Sequence, residues 1–171
     1  MLMKFVVREL HLKDLDGLYK LMSNPEIAYL TNNPIDSYED FIEKYQLYLD
    51  GHAIDLKIFV ILIDESLVGK MELGYDLHDK TGIFEIIIGN KQFWGKGISN
   101  KALNVLFAYG FNNLGLNKIA CEVFGFNERS LRFMQKNGLH LDGILRQDRF
   151  INNQFIDVYL FSKLKSEFED L

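Results

Sequence analysis

A mixed α/β fold is what this sequence predicts: a mostly antiparallel central sheet of about seven strands with helices packed against it. Three observations carry that expectation. Apolar residues recur at three- and four-residue spacing in the segments up to Leu49, and from Lys57 the pattern changes to apolar runs of strand length. Three such runs, Ile58–Ile63, Leu67–Tyr75 and Ile83–Ile88, are separated only by short polar turns, which is the pattern of a meander. The third run leads through a glycine turn into a helix-like stretch, Lys101–Phe111, and then to a further strand, Lys118–Val123. That last connection should be a right-handed crossover between parallel strands, with its helix buried on the sheet.

Taken in order, Phe5–Val7 reads as a short strand. Asp14 is placed to cap a helix with Leu15, Leu18, Leu21 and Met22 at helical spacing, and Ser23-Asn24-Pro25 ends it. Ile27–Leu30 is apolar and brief. Thr31-Asn32-Asn33-Pro34 has the chemistry of a turn, and Ser37 starts a second helix carrying Tyr38, Phe41, Tyr45, Tyr48 and Leu49. That aromatic stripe is first of all core packing, and it is also placed to wall a substrate cleft. Asp64-Glu65-Ser66 and Asp79-Lys80-Thr81-Gly82 turn the meander, and Gly115 stops the crossover helix. Asn127 caps a short helix, Glu128–Lys136, which Gly138 terminates. Leu139–Arg146 and Gln154–Leu164 form two strands paired through Asn152-Asn153, and the charged tail Lys165–Asp170 frays. No repeat, low-complexity segment or linker interrupts the chain, so residues 1–171 are expected to form a single domain.

Composition narrows the function classes. With 48% hydrophobic and 25% charged residues the chain belongs with ordinary globular proteins, and 171 residues suffice for a real core. The net charge of −5 argues against a nucleic-acid partner, which needs a basic face, and tolerates a cationic substrate. The one cysteine, Cys121, lies in an apolar run and reads as a buried small residue, which excludes an intrachain disulfide and points to a reducing compartment. Met1–Leu15 has charges at Lys4, Arg8 and Glu9 and no apolar stretch of signal-peptide length, and no later window is long enough to cross a bilayer. A cytoplasmic protein without a membrane partner is expected. His11, His52, His78 and His140 are far apart and lack the i, i+4 spacing of helical metal ligands, so no metal site is expected.

The stretch with chemistry in it is Gln92-Phe93-Trp94-Gly95-Lys96-Gly97-Ile98-Ser99. Two glycines one residue apart let the backbone turn tightly and come close to a ligand. The unpaired N–H groups of the following helix's first turn, together with the helix dipole, favour an anion such as pyrophosphate. Lys96 and Lys101 add positive charge nearby.

On these residues the chain resembles the GNAT superfamily of acetyl-CoA-dependent N-acetyltransferases, over nearly its whole length. The superfamily's signature, Gln/Arg-x-x-Gly-x-Gly/Ala at the start of a long helix, is matched by Gln92-Phe93-Trp94-Gly95-Lys96-Gly97, and its later block by Asn127-Glu128-Arg129-Ser130 and Lys136-Asn137-Gly138-Leu139. Ile88-Gly89, Asp142-Gly143-Ile144-Leu145-Arg146 and Asp157-Val158-Tyr159 are similar to the branch containing ribosomal-protein N-terminal and spermidine acetyltransferases. The resemblance implies direct attack of an amine on the acetyl thioester, with no acyl-enzyme. It implies parallel strands that splay, with the pantetheine arm of the co-substrate inserted between Ile86–Gly89 and Lys118–Val123. Backbone N–H groups near Ile87, Ile88 and Gly89 would polarise the thioester carbonyl. Residues Gln92 to Ser99 would hold the pyrophosphate, and Asn127 with Ser130 would contact pantetheine or the departing sulfur.

An alkylammonium with a pKa near ~10 cannot attack until it loses a proton. Glu85 is the candidate base, directly or through a water, because it lies where this superfamily often carries a catalytic carboxylate and partial burial would raise its pKa. The alternative is a polar side chain pointing outward between Phe84 and Ile86. Glu72 and Asp76 are weaker candidates. Many members carry a proton-donating Tyr seven residues after the Asn; here that position is Met134, whose thioether cannot donate. The acceptor is expected to be a protein N-terminus or a small amine. A polyamine is less favoured, since the turn Thr31–Pro34 is neutral where the spermidine branch is acidic, although Asp36, Glu39, Asp40 and Glu43 follow it as a solvated face. The rival reading is a non-catalytic acetyl-CoA-binding or sensing module. A homodimer is the assembly the branch implies.

Overall fold

Seven strands, Phe5–Glu9 (β1), Leu56–Ile63 (β2), Ser66–Asp76 (β3), Thr81–Ile88 (β4), Lys118–Phe124 (β5), His140–Ile151 (β6) and Gln154–Leu164 (β7), form one sheet in the order β1-β2-β3-β4-β5-β7-β6. The structure, a computed structural model, describes residues 3–35 and 37–169. Antiparallel ladders join β1 to β2, β2 to β3, β5 to β7 and β6 to β7. β4 and β5 are parallel, with Thr81, Gly82 and Ile83 opposite Lys118, Ile119 and Ala120. The mixed, mostly antiparallel sheet expected from the period change is therefore present. Its helices are Leu15–Met22 (α1), Pro25–Thr31 (α2), Tyr38–Leu49 (α3), Ile98–Ala108 (α4) and Glu128–Lys136 (α5). None among the described residues is long and apolar enough to cross a membrane.

The fold groups into two compact units, Met1–Gly74 with Glu85–Leu106, and Tyr75–Phe84 with Phe107–Leu171. In the first, Leu15, Leu18 and Met22 of α1 fall on one helical face and meet Phe41 and Tyr45 of α3 over Ile58, Val60 and Ile87 of the sheet. Tyr19 approaches Phe41 edge-on with centroids 5.4 Å apart, and Phe41 lies 4.6 Å from Tyr45, so the aromatic stripe is core packing as its spacing suggested.

Two details of this unit differ from the sequence reading. Asp14 precedes α1 but makes no side-chain cap; Arg8 takes both its carboxylate oxygens, at 2.6 and 2.8 Å, and the His11 amide takes one at 2.9 Å. A bidentate guanidinium outcompetes a helix amide for that carboxylate. The brief apolar run is the helix α2: the Asn24 side chain accepts from the Glu26 amide at 3.0 Å, Pro25 fills the first turn where no N–H is needed, and Asn32 ends it in the left-handed region at φ 48°. Ser37 caps α3 as expected, accepting from the Asp40 amide at 3.0 Å. Asp36 and the last two residues, Asp170 included, lie outside the described residues.

In the second unit β7 inserts between β5 and β6, leaving β6 at the sheet's edge. Its core holds Phe107, Phe111, Leu116, Ile119, Cys121, Val158 and Phe161, and Phe168 packs on Phe107 and Phe111. β6 runs to Ile151 rather than Arg146, because register shifts between Leu141 and Gly143 and between Leu145 and Arg149 absorb the irregular stretch. Asn152 and Asn153 turn the hairpin at φ 50° and 61°, the paired left-handed conformation that asparagine tolerates. α4, which belongs to the first unit as far as Leu106, begins at Ile98, ahead of Lys101, and the chain continues into a π turn at Tyr109–Asn113. The tail expected to fray makes a 3₁₀ turn over Lys165–Glu167, with Glu167 accepting from the Leu164 amide at 2.9 Å.

Candidate active site

The loop between β4 and α4 starts with a 3₁₀ turn at Lys91–Phe93, where the Asn90 side chain accepts from the Gln92 amide at 3.1 Å. Gly95 and Gly97 then adopt φ 73° and 75°, and a Cβ built on either would meet no atom within 4 Å. Glycine is required here by backbone conformation and not by crowding from the protein, so the backbone stays bare toward solvent. Gln92, Lys96 and both glycines are exposed, Trp94 and Ser99 are half-buried, and the Ile98 side chain is buried. Trp94 donates its indole N–H to the Ile88 carbonyl at 2.6 Å and carries the Lys91 ammonium 5.7 Å above its ring. Lys91 also pairs with Glu26 of α2.

At the end of β4 the side chains of Ile87 and Ile88 are buried. The Gly89 amide donates to the Val68 carbonyl of β3 at 3.0 Å, so the expectation that it polarises a thioester is corrected: that N–H is used by the sheet. Alternation along the strand turns the Ile88 amide to the edge away from β3. Gly89 itself is fixed by packing, since a Cβ there would come within 2.1 Å of the Leu21 side chain. Gly69 is fixed likewise, as its Cβ would lie 2.3 Å from the Ile87 carbonyl oxygen.

Glu85 leads to a residue that sequence reasoning missed. Lys70 of β3 is 1% exposed, and its ammonium lies 2.9 Å from the Glu85 carboxylate and 3.2 Å from the Tyr45 hydroxyl while pairing also with Glu72. Tyr45 in turn donates to Glu72 at 3.2 Å. Lys70 and Glu72 are two apart in a strand and so share a face. Burial alone would lower the Lys70 pKa, but the charges of Glu72 and Glu85 outweigh it and hold the ammonium above lysine's ordinary value. Burial likewise pushes Glu72 up, and Lys70 more than reverses it, so Glu72 stays ionised and is a poor base. Burial pushes the Tyr45 hydroxyl up to about 12, so it remains a donor. Glu85 is the exposed end of the network at 40%; it is partly buried, and its ion pair with Lys70 sets it apart from an outward alternant without partners. Asp76 accepts from the His78 and Asp79 amides at 2.7 and 3.0 Å, bonds that lower its pKa and give it a turn-capping role instead of a base's. A cavity of about 120 Å³ shares Tyr45 with this network and is lined also by Met22, Pro34, Ile35, Phe41 and Lys44.

In the second unit Asn127 caps α5, its side-chain oxygen accepting from the Ser130 amide at 3.1 Å. Met134 is buried at 5% exposure. The Cys121 thiol, raised to about 12 chiefly by burial, is inert. Among the described residues no group of three or more His, Cys, Asp or Glu side chains is placed to hold a metal ion.

Comparison with known proteins gives a consistent picture. A family model described as an acetyltransferase (GNAT) domain matches residues 4–140. The uncharacterized N-acetyltransferase p20 of Bacillus licheniformis is 30% identical, over 96% of this chain and 95% of its own. The spermidine N(1)-acetyltransferase of Escherichia coli strain K12 is 32% identical, over 87% of this chain and 80% of its own. The crystal structure of spermidine N-acetyltransferase from Vibrio cholerae in complex with CoA and spermine superposes with a TM-score of 0.85 at 27% identity, covering 95% of this chain and 96% of that one.

Proposed function

Because the chain belongs to the GNAT family of acetyltransferases, we propose that it moves the acetyl group of acetyl-CoA onto a small primary amine by direct attack in a ternary complex. The observation that carries the donor side is the pair of left-handed glycines, Gly95 and Gly97, opening an eleven-residue helix with bare backbone toward solvent. Such a helix start offers unpaired amides and a positive dipole end to a pyrophosphate. Gln92, Trp94, Lys96, Ile98 and Ser99 belong to that cradle, the last two through first-turn amides. Asn127 and Ser130 are assigned to the pantetheine arm.

In the reaction the amine nitrogen forms a bond to the acetyl carbon, the carbon–sulfur bond breaks, and the electron pair leaves on sulfur. The ammonium's first proton passes to Glu85, directly or through water, so that the neutral amine attacks, and the proton that the attacking nitrogen sheds as the amide forms goes to water. The Ile88 amide supports the oxyanion as charge develops on the carbonyl. Met134 supplies no proton to the leaving thiolate, which at a pKa near ~8.5 is tolerable as it stands.

That thioether in the core also favours a second reading, a binding module without turnover. Thiol release from acetyl-CoA on a panel of alkylamines, polyamines, amino sugars and short peptides separates the two. Turnover on any member supports the enzyme; intact acetyl-CoA binding with no amine-dependent release supports the module. Gly95→Glu should abolish acetyl-CoA binding, and retained affinity would overturn the loop assignment. A homodimer in the cytoplasm belongs to the same proposal: edge strand β6 exposes Phe150 at 62%, beside Phe155 of β7 at 65%, and sedimentation velocity reads the association.

A further inference from the structure

We propose that Lys70 determines acceptor specificity: its ammonium satisfies Glu72 and Glu85 from inside the fold, so the site takes a monoamine and disfavours the second ammonium of a diamine or polyamine. The inference rests on the proposal above that the acceptor is handled at Glu85.

Lys70 lies in a strand whose neighbours are apolar, between Gly69 and Met71 and opposite Val60 of β2, itself fully buried. A lysine ammonium is kept out of water at such a place only if its partners replace its hydration. Here three partners, Glu72, Glu85 and Tyr45, match the three N–H donors of one ammonium. Glu72 is further approached by the charge of Lys44 and by the Tyr45 hydroxyl. Glu72 and Glu85, the carboxylates of this network, are thus already served by cations of the chain. A diamine whose second ammonium displaced Lys70 would strand that lysine, charged and buried, without a partner. Discrimination of this kind works by penalising the wrong ligand, not by adding contacts to the right one. Without Lys70, Glu72 and Glu85 would stand together beside Tyr45 as an uncompensated pair, open to solvent at Glu85.

The test compares kcat/KM for spermidine and 1,3-diaminopropane with that for propylamine in the wild type, in Lys70→Met, and in the double variant Lys70→Met/Glu72→Gln. The ratio should rise about tenfold or more in Lys70→Met, the scale of a hydrogen bond to a charged group, and return toward the wild-type value in the double variant. A ratio unchanged in Lys70→Met overturns the proposal, as does a gain that survives removal of the Glu72 charge. Thermal unfolding gives a readout that needs no turnover: spermidine should raise the Tm of Lys70→Met and leave the wild type and the double variant unmoved. An absence of turnover in the wild type would remove the reaction assigned above while leaving this binding result to stand or fall alone. If Lys70→Met is unfolded by circular dichroism, spermidine should restore it, and failure to do so counts against the proposal.

Discussion

Trp94 binds the end of β4 to the loop that follows it, donating its indole N–H to the Ile88 carbonyl at 2.6 Å. The residue whose amide is turned from β3 and the loop that opens at Gly95 are thereby one mechanical piece. Trp94→Phe keeps an aromatic ring and removes the donor, so it should cost about 1 kcal/mol of stability. It should also weaken acetyl-CoA binding, read by calorimetry, with a smaller effect on kcat at saturating donor. Unchanged affinity would separate the indole from the donor site.

Glu85 offers the sharpest test of the chemistry. Glu85→Gln keeps the shape and one acceptor oxygen toward Lys70 but cannot take the amine's proton. The acid limb of the pH–rate profile of kcat/KM should flatten or move, and kcat should fall by about 10²-fold, the low end for removal of a general base. A profile identical to the wild type would assign proton removal to another group.

Asp142 of β6 gathers Lys118 of β5 at 2.5 Å, the His140 ring at 3.0 Å and the Ser162 hydroxyl of β7 at 2.8 Å. The Lys118 hydrogen bond above all, then His140, holds its pKa down to about 2, from an ordinary 3.8. A carboxylate with a depressed folded pKa contributes stability that is fully present above the unfolded value and is lost as pH falls through the folded one. Asp142→Asn should therefore lower the Tm at neutral pH, and the gap to the wild type should close as pH drops from about 4 toward about 2. A gap of constant size over that range would show that the charge contributes nothing.

Local chemistry made much of this fold legible in advance. Ser37, Asn127 and the Asn152-Asn153 pair act through bonds and dihedrals within a few residues of themselves, and each does what its neighbours in sequence imply. The same holds for Gly95 and Gly97, whose left-handed backbone is a property of the turn. Reading failed where a short-range signal had two meanings or a distant partner intervened. Ser23-Asn24-Pro25 ends α1 as expected, but an Asn followed by Pro is also a helix start, and the brief apolar run behind it is the helix α2. Asp14 had the position of a cap, but Arg8, on the strand before it, claims the carboxylate. A lysine in a strand ordinarily faces water, so Lys70 carries little signal of its own; its partners lie on the same strand, on β4 and on α3, and only the assembled sheet brings them together. The one clue along the chain was Lys70-x-Glu72, opposite charges at the same-face spacing of a strand, inside an apolar run.

A counter-ion grown from the enzyme's own backbone behaves unlike one drawn from solution. At 1% exposure the Lys70 ammonium cannot be diluted or exchanged with cations outside, so the counter-ion of Glu72 and Glu85 is written into the chain and not drawn from the ionic composition around it. Where dissolved cations would fill such a site in proportion to their concentration, here occupancy is complete at every concentration. The selectivity proposed for this enzyme should accordingly hold unchanged from dilute buffer to the crowded, cation-rich interior of a cell.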